Sequence, residues 1–449
     1  MQKEYIIYTC DNHWDIKPLT KGIYMFRSKK RVIGAALVVA LGLSGALTSA
    51  PAFAEDKVIT VWADETRGPN LIRALGGDVA QQKEGQWVAG YKVKVVSYSN
   101  FDALKTAIDN ATEKTGPDIV VGANDWVPTL AKNGTLAPVG TLPASVRSNF
   151  SPGNFTDLTY GGKLYGVPLD INNVAMLYND KLVTSAPRSF ADMVNYYNAN
   201  KTSKKLKAGL CIAGGSMNWG AYSVFPALGG GAYAMNANGT PNTKADPFNA
   251  ATFAANVKQY LLAPNGKGNG FFPATDAGCK DNFLAGKVPF AVIGNWEWRS
   301  YQDKGFKMSN LMPVPGVAAG TYGTAFGSVS GALLTTFAAK NGNAAGAKTL
   351  LTRFFASRDG AVAYQRFEQR PPAHKAAAAL SNAGAKGFSR TAGLASVPQL
   401  VYLNGVTGSP SYWDALPAFW NNVLVDGKNV STESTKLFKI MKKNLTAKP

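Results

Sequence analysis

The chain has 449 residues, of which 46% are hydrophobic and 11% aromatic, a composition that excludes a disordered protein and a length that suits two domains. It carries 47 Lys and Arg against 28 Asp and Glu, but the basic residues are dispersed apart from Lys201–Lys207 and Lys436–Lys443, so we expect no nucleic-acid partner. With two histidines in 449 residues, a His-based metal site or a Ser-His-Asp triad is not easily built, which argues against many hydrolase classes.

The N-terminal region has the pattern of an export signal. Arg27–Arg31 is positively charged, Val32–Ala46 is an apolar run, and Ala52–Ala54 supplies small residues at the two positions that signal peptidase reads. We therefore predict a cleavable signal peptide over residues 25–54, with cleavage after Ala54. The alternative is an uncleaved membrane anchor, although the 15 apolar residues are few for a span, which needs about 20.

Residues 1–24 fit no part of a signal peptide, and Met25 is an alternative start, so we interpret the upstream segment as a mis-assigned extension. No cysteine lies directly after the apolar run, where a lipid would be attached, so the sequence predicts no lipid anchor and a periplasmic or secreted protein. Two cysteines follow the signal peptide, Cys211 and Cys279. Outside the cytosol an even pair can form a disulfide; the alternative is two unpaired buried thiols.

From Lys57 onward, short apolar strands alternate with helices, which is the pattern typical of a parallel sheet. Strands are predicted at Val58–Trp62, Tyr91–Tyr98, Asp118–Val121, Gly209–Ala213, Val288–Ile293 and Ser330–Phe337. Helices are predicted at Phe101–Lys114, Trp219–Leu228, Ala251–Leu262, Ala344–Ala356, Trp413–Val425 and Ser431–Leu445. The sequence therefore predicts an α/β fold.

Two of these strands run into aromatic and acidic residues. The strand at Asp118–Val121 opens onto Asp125-Trp126, and the strand at Val288–Ile293 leads into Trp296–Trp298. If the chain stays extended there, the rings of Trp296 and Trp298 point to the same side. In open α/β sheets ligands bind in the crevice beyond the strand ends. One tryptophan alone is more often core than ligand contact, but the recurrence favours a binding cleft.

Four segments, in this order, resemble the extracellular solute-binding proteins of sugar ABC importers, with the maltose/maltodextrin-binding branch the nearest match. They are GPDIVVGANDWVPTLAKNGTLAPV (Gly116–Val139), YGVPLDINNVAMLYND (Tyr165–Asp180), FLAGKVPFAVIGNWEW (Phe283–Trp298) and SYWDALPAFWNNV (Ser411–Val423). The resemblance implies a two-lobe periplasmic-binding-protein fold of type II, with lobes that are discontinuous in sequence and joined by crossover strands. We place lobe 1 at residues 55–170 plus 331–377 and lobe 2 at residues 171–330 plus 378–449.

The resemblance also implies stacking rings. Trp296 and Trp420 fall where the family places tryptophans on sugar rings, and Trp219 and Tyr222 lie in the region of an aromatic sugar-contacting loop. Such rings cover the apolar C–H faces of a pyranose. The alternatives are that Trp420 is a core residue on a helix face and that Trp413 packs beneath the site.

Polar contacts are implied at a further set of positions, namely Asp125, Arg67, Glu65 or Asp64, Asn172 and Glu297. Charged and amide groups of this kind saturate the hydroxyl belt of a sugar. The chain departs from the family pattern at Trp126, where the enteric maltose binder has an arginine, at Asn172, where glutamate is frequent, and at Thr66, where an acidic residue is usual. Glu297 has the alternative of pointing to solvent.

The resemblance implies capture of an oligosaccharide, maltose or a maltodextrin, without catalysis. The cleft closes over the sugar, and the partners are the membrane permease subunits of an ABC importer. We expect a monomer, no cofactor and no metal. The alternatives are a different oligosaccharide or glycerol phosphate on the same fold, and a secreted glycosidase, for which Asp125 and Glu297 are the evident carboxylate pair.

Overall fold

The computed structural model describes residues 57–83, 85–214, 216–237, 240–276 and 278–446. The predicted signal peptide, its cleavage site and residues 1–24 lie outside the described residues. Residues from Glu55 onward form a single compact body. Within the described ranges, no helix is both long enough and apolar enough to cross a membrane.

The strands of the described part are short, with one exception of ten residues. They are β1 Lys57–Ala63, β2 Tyr91–Ser97, β3 Ile119–Ala123, β4 Thr159–Tyr160, β5 Lys163–Leu164, β6 Gly166–Asn172, β7 Val174–Tyr178, β8 Leu210–Ile212, β9 Ala234–Met235, β10 Pro241–Asn242, β11 Phe290–Gly294, β12 Leu311–Met312, β13 Val314–Pro315, β14 Tyr322–Gly323, β15 Ala325–Leu334 and β16 Ser396–Pro398.

The α-helices range from one turn to 17 residues. They are α1 Arg67–Leu75, α2 Phe101–Asp109, α3 Trp126–Lys132, α4 Ala144–Arg147, α5 Pro152–Thr156, α6 Phe190–Asn200, α7 Val224–Ala227, α8 Ala250–Leu261, α9 Cys279–Leu284, α10 Trp298–Gln302, α11 Phe337–Lys340, α12 Ala344–Leu350, α13 Arg358–Gln365, α14 Lys375–Ala378, α15 Ala383–Ala395, α16 Tyr412–Trp420 and α17 Val430–Thr446. Short 3-10 helices occupy Gly220–Ser223, Met308–Asn310 and Val401–Asn404, and π-helical turns extend α12 and α16 over Leu351–Phe355 and Asn421–Val425.

Two sheets organise these elements. The first has the order β16-β15-β3-β1-β2, with β6 also paired to β15, and the second has the order β12-β7-β11-β8. Strand β1 is parallel to β2 and β3, and β11 is parallel to β8, whereas β15 is antiparallel to β3 and β6 and β7 is antiparallel to β11.

The central strands of both sheets are buried on both faces, which is why β1, β3 and β11 are nearly continuous apolar runs. In β1, Ile59 and Val61 pack into one hydrophobic cluster and Trp62 into another on the opposite face. In β11, Val292 and Ile293 likewise face two different clusters. Each sheet is therefore the centre of its own α/β unit, with helices on both sides.

The chain passes between the two units through short connections. Strand β6 ends at Asn172 in the first sheet and β7 starts at Val174 in the second, so Asn173 alone separates them. Strand β15 lies in both units, because Phe326 packs into a cluster of the second unit and Leu334 into one of the first. The chain passes to the second unit again between α14, whose start bonds to Asn149, and α15, which packs on β7 and β12.

Candidate functional site

A cavity of about 770 Å³ is lined by residues of both units. Its aromatic lining consists of Phe101, Trp126, Trp219, Trp296 and Trp413. Its charged lining consists of Asp64, Glu65, Arg67, Asp102, Lys105, Asp125 and Arg370, and its amides are Asn100, Asn172, Asn218, Gln399 and Asn404. Cavities of roughly 300–1,000 Å³ that combine aromatic rings with a few placed polar groups are typical of ligand sites.

The loop after β1 and the start of α1 form one part of the cavity wall, through residues 64–67. Asp64 accepts hydrogen bonds from the backbone amides of Thr66 at 2.9 Å and Arg67 at 2.8 Å, which fixes the turn into α1. Burial opposes ionisation of Asp64, but the charges of Arg67 and Arg370 hold its pKa well below the usual range. Glu65 also lines the cavity, and burial raises its pKa. Asp64 therefore stays ionised at neutral pH, and Glu65 binds a proton more readily than Asp64 does.

Arg67 is 2% exposed and lies at the centre of a buried ionic network. Its guanidinium donates to Asp64 at 2.6 Å, to both carboxylate oxygens of Asp170 at 2.9 and 2.7 Å, to Asn172 at 2.8 Å and to Ser330 at 2.9 Å. Bidentate pairing of this kind is strong and directional. Arg67 therefore holds the cavity wall in place, and most of its donors are committed to protein acceptors.

Arg370 is a cavity residue that the sequence did not indicate. Its guanidinium donates to Asn172 at 2.9 Å, to Glu368 at 2.8 Å and to the Thr66 hydroxyl at 2.8 Å, and it lies 5.9 Å from the ring centroid of Trp296. Burial opposes ionisation of Glu368, but Arg370 and Arg67 lower its pKa to about 2. Arg370 thus joins the ionic network of the first unit to a ring of the second.

Asp125 and Trp126 follow β3, as the sequence predicted, and both line the cavity. Asp125 is buried, which raises its pKa to about 6 despite a hydrogen bond from Gln399. Within the described residues its Oδ1 atom has no hydrogen-bond partner. The ring of Trp126 packs on Phe101 at 4.6 Å, and a side chain at Gly122 would collide with it, since an added Cβ would lie 2.4 Å from the ring.

Three tryptophans from the second unit form the facing wall. The centroids of Trp219 and Trp296 are 5.6 Å apart, with the rings tilted by 50°. The Nε1 of Trp219 donates to Gln399 at 2.8 Å, and the Nε1 of Trp413 donates to Asn404 at 2.8 Å. The polar ring edges of Trp219 and Trp413 are thus satisfied by amides, which leaves their apolar ring surfaces for packing or for a ligand.

Trp420 does not line the cavity, so the expectation that it stacks on a ligand is corrected. It is 0% exposed and packs among Phe253, Phe272 and Phe419. The cavity ring of α16 is Trp413, in the first helical turn. Seven residues further along an α-helix correspond to about 10 Å, which places Trp420 in the core of the second unit.

Tyr222 and Glu297 also lie outside the cavity lining. Tyr222 is 2% exposed because its ring stacks on Phe326 at 3.7 Å in the core. Glu297 pairs with Lys280 at 3.1 Å; β11 ends at Gly294 and the chain turns, so the extended conformation that would align the two following tryptophans is absent. Of those two rings only Trp296 reaches the cavity, and the Nε1 of Trp298 donates to the Gln369 carbonyl at 3.0 Å.

Cys211 of β8 and Cys279 of α9 are joined by a disulfide, with Cα atoms 5.7 Å apart and a sequence separation of 68. The bond lies in a core cluster behind β11, away from the cavity. In the part of the chain that the structure describes, no group of three or more His, Cys, Asp and Glu side chains could hold a metal ion.

Some cavity residues that sequence reasoning missed lie in helix α2, namely Phe101, Asp102 and Lys105, and others lie in loops or short turns. Arg370 follows α13, Gln399 follows β16, Asn218 lies in a turn, and Asn404 ends the short 3-10 helix Val401–Asn404. A turn can bring almost any residue to a site, because no periodicity constrains where its side chains point. The proline pair after Arg370 was the available signal, since it marks a rigid turn.

A protein family described as bacterial extracellular solute-binding protein matches residues 80–392 of the chain. The chain is 27% identical over 223 residues to a maltotriose-binding protein of Pyrococcus abyssi, covering 47% of this chain and 45% of that protein. It is 23% identical over 274 residues to a maltodextrin-binding protein of Bacillus subtilis, covering 60% and 63%. The chain therefore spans about half to three fifths of the length of these curated relatives.

The fold is similar to that of a solved maltotriose binding protein of Thermus thermophilus, bound with maltotriose. The TM-score is 0.65 at 21% sequence identity, and the match covers 86% of this chain and 99% of that one. At this identity the likeness concerns the fold alone. It confirms the predicted α/β, type II two-lobe architecture with lobes that are discontinuous in sequence.

Proposed function

This chain belongs to the family of bacterial extracellular solute-binding proteins, and from that premise we propose that it captures an oligosaccharide and delivers it to the permease subunits of an ABC importer, without catalysis. The observation that carries the proposal is the composition of the cavity. Three tryptophans of one unit face Asp125, Trp126 and the Arg67 network of the other. Rings suit the C–H faces of sugars, and carboxylate and amide groups suit their hydroxyls.

Maltose or a maltodextrin is the ligand we propose. Relatives named for maltotriose and maltodextrin support this choice. The presence of several aromatic rings in the cavity lining also supports it, since successive glucose units present successive apolar faces. Asp125 is proposed as the principal hydroxyl acceptor, because its buried Oδ1 has no partner among the described residues and unsatisfied buried acceptors are costly.

The non-catalytic part of the proposal is supported by the placement of the carboxylates. A glycosidase needs two carboxyl groups on either side of the scissile bond. The pair expected from the sequence is not assembled, since Glu297 is bound to Lys280 and does not line the cavity.

Lobe closure is the proposed mechanism. A sugar that contacts both units only in the closed form shifts the population toward closure by its differential affinity. We propose lobes at residues 55–170 plus 331–377 and 171–330 plus 378–449, with Asn173 and β15 as connections between them. Export by the predicted signal peptide would place the monomeric protein in the periplasm or outside the cell.

A tryptophan-fluorescence titration tests the ligand. Maltotriose is expected to shift the emission of the chain from Glu55 to Pro449, and Trp296→Ala is expected to weaken its affinity about tenfold or more, since a stacked aromatic pair contributes about 0.5–1.5 kcal/mol beyond burial. Trp87→Phe is the control, because Trp87 packs on Phe354 in the first unit, outside the cavity lining.

Other outcomes would decide against parts of the proposal. A signal with a galactose-based oligosaccharide or glycerol phosphate, and none with any α-glucan, would replace the ligand. Shorter products after incubation with maltotriose would contradict capture without catalysis. Full affinity in Trp296→Ala would remove that ring from the site.

A further inference from the structure

Lysines concentrate at the end of the second sheet that lies opposite the cavity. Strands β8 and β11 are parallel, and cavity residues follow both of them, Trp219 after β8 and Trp296 after β11. Lys207 and Lys287 precede the same two strands, and the Lys207 amide donates to the Lys287 carbonyl at 2.8 Å. A strand of five residues is about 17 Å long, so these lysines are separated from the cavity by the length of the sheet.

Four chain segments meet at this end, residues 178–183, 200–208, 284–289 and 303–308. Their contacts include Asn179 N to Pro289 O at 2.9 Å and Lys181 Nζ to Lys304 O at 3.4 Å. We define the lysine face as the eight lysines of these segments, Lys181, Lys201, Lys204, Lys205, Lys207, Lys287, Lys304 and Lys307. All are exposed except Lys287, which is half-buried.

Little negative charge balances this face. The acidic residues of the four segments are Asp180 and Asp303, and among the described residues the only ion pair of the lysine face is Lys307 with Asp180, at 3.4 Å. From Glu55 onward the chain holds 40 basic and 25 acidic residues, so eight of those 40 lie on one end of one sheet.

Lys205 adds a second, independent observation. It is the one non-glycine residue with positive φ in the described ranges, at 52°. The bonds from Leu206 N to Lys201 O at 2.9 Å and from Lys205 N to Thr202 O at 3.2 Å are those of a Schellman motif, whose left-handed position is usually glycine or asparagine. A lysine there adopts a conformation that costs about 1–2 kcal/mol, and backbone strain of this kind clusters at functional sites.

We propose that the lysine face docks the protein on a membrane surface rich in anionic phospholipid headgroups. The four segments contain no arginine and no exposed aromatic residue, whereas protein–protein interfaces are enriched in both and depleted of lysine. Lysine is a flexible point charge, which suits a diffuse layer of phosphates. Because the face is at the far end of the sheet, docking leaves the cavity open to solvent.

Vesicle co-sedimentation tests the proposal without any sugar, so its failure is independent of the ligand assignment. The chain from Glu55 to Pro449 is used, because the apolar run at Val32–Ala46 would itself enter lipid. Binding is expected to vesicles with about one third phosphatidylglycerol, since each lysine near such a surface contributes about 1 kcal/mol, and not to pure phosphatidylcholine. It is expected to weaken strongly between about 0.1 M and 1 M salt.

Charge removal locates the contact. The triple variant Lys204→Gln, Lys205→Gln, Lys207→Gln is expected to bind anionic vesicles about 100-fold more weakly, at about fivefold per lysine. The matched control is Lys83→Gln, Lys132→Gln, Lys348→Gln, which removes three exposed lysines of the first unit and is expected to change binding no more than a few-fold. Equal losses in the two variants, or equal binding to anionic and neutral vesicles, would overturn the proposal.

Lys205→Gly separates docking from folding. Glycine relieves the left-handed strain, so the variant is expected to unfold at an equal or higher temperature while binding anionic vesicles about fivefold more weakly. A variant that is less stable and binds unchanged would show that Lys205 serves the helix end alone, and would overturn its assignment to the docking surface.

Discussion

Asp125 is held in the cavity wall in a state that costs stability. Its side chain is buried, its Oδ1 has no partner among the described residues, and burial raises its pKa to about 6. A carboxyl group whose pKa is higher in the folded than in the unfolded protein destabilises the fold increasingly as the pH rises above the unfolded value, and the full cost is present above the folded value. Such a residue is expected where a ligand, rather than the protein, supplies the missing donor.

The pH dependence of binding follows from this pKa. Sugar hydroxyls donate to the ionised carboxylate, so binding favours the charged form and releases a proton. Affinity for maltotriose, measured by calorimetry, is expected to be constant above about pH 7 and to fall as the pH drops through about 6. Asp125→Asn is expected to bind more weakly and to lose this pH dependence. An unchanged profile in that variant would assign the titration to another group.

Asp125→Asn is also expected to be the more stable protein at pH 8, because the ionised buried carboxylate is removed. A pKa raised from 3.8 to about 6 corresponds to a stability difference on the order of 3 kcal/mol. The gain in unfolding free energy should diminish as the pH falls below 6. Denaturant unfolding at the two pH values checks the sign, and a variant that is less stable at pH 8 would contradict the cost assigned to Asp125.

Trp413 and Trp420, on one helix, are expected to respond differently to substitution. Trp413 lines the cavity, so Trp413→Ala is expected to weaken maltotriose binding about tenfold. Trp420 is 0% exposed, so Trp420→Phe is expected to lower the unfolding free energy by about 0.5–3 kcal/mol and to leave affinity within twofold. The reverse pattern would restore Trp420 as the stacking ring.

Residues directly after predicted strands could be placed from the sequence. Asp125, Trp126, Trp296 and Arg67 all line the cavity because a strand of the sheet fixes their position. Trp420, Tyr222 and Glu297 were placed wrongly for a common reason. Whether a side chain faces the core or the cavity depends on the neighbours that it meets in the fold, as Tyr222 meets Phe326 and Glu297 meets Lys280, and local sequence does not contain that information.

The segment after β16 connects the two walls of the cavity. The Gln399 side chain accepts a hydrogen bond from Trp219 Nε1 at 2.8 Å and also hydrogen-bonds Asp125. The backbone carbonyl of Gln399 accepts from the Asn124 side chain at 3.2 Å. Gln399 therefore orients a ring of the second unit and a carboxylate of the first. We expect it to act as a positioning residue for both.

Two substitutions of Gln399 test this positioning. Gln399→Ala is expected to weaken maltotriose binding about two- to tenfold, the value of one or two hydrogen bonds, whereas Gln81→Ala, at an exposed position, should not change it. Gln399→Glu keeps an acceptor for Trp219 but sets a second carboxylate beside Asp125, which raises the pKa of Asp125 further. The pH midpoint of binding is expected to move above 6, and an unmoved midpoint would rule out the contact.

The disulfide stabilises the second unit by joining β8 to α9. It closes a long loop, with 68 residues of sequence separation, and removal of such a bond typically costs about 2–4 kcal/mol. The double variant Cys211→Ala, Cys279→Ala is expected to unfold at a lower temperature and to bind maltotriose nearly as tightly, since the bond lies away from the cavity. A loss of affinity without loss of stability would contradict this assignment.

Many of the strands and some of the long helices could be predicted from the sequence to within a few residues, but the helices α6 and α15 were not predicted. Strands β1, β3 and β11 are buried on both faces, so their apolar runs are unambiguous, and β2 is recognised by its alternation of apolar and polar residues. The predicted helix over Trp219–Leu228 is instead a 3-10 helix followed by one α-helical turn. The predicted strand Ser330–Phe337 lies at Ala325–Leu334, because its glycine- and serine-containing first half pairs with β16 and β6, which local sequence does not indicate.

At the scale of the whole molecule, the proposed ligand site and the lysine face are at opposite ends of the second sheet. The cavity is lined by residues of both units, so its shape depends on the relative orientation of the two units, which Asn173 and β15 connect. The lysine face takes residues from the second unit alone, so docking does not depend on closure. The protein is therefore expected to hold a sugar while it remains at a membrane surface.

A crystal structure of the chain from Glu55 to Pro449 with maltotriose tests the central claim most directly. The account predicts glucose rings stacked on Trp296 and on Trp219 or Trp413, with a sugar hydroxyl within about 3 Å of the Asp125 carboxylate and the two units closed over it. Maltotriose bound outside this cavity, or a cavity that stays empty at a concentration that saturates binding in solution, would contradict it.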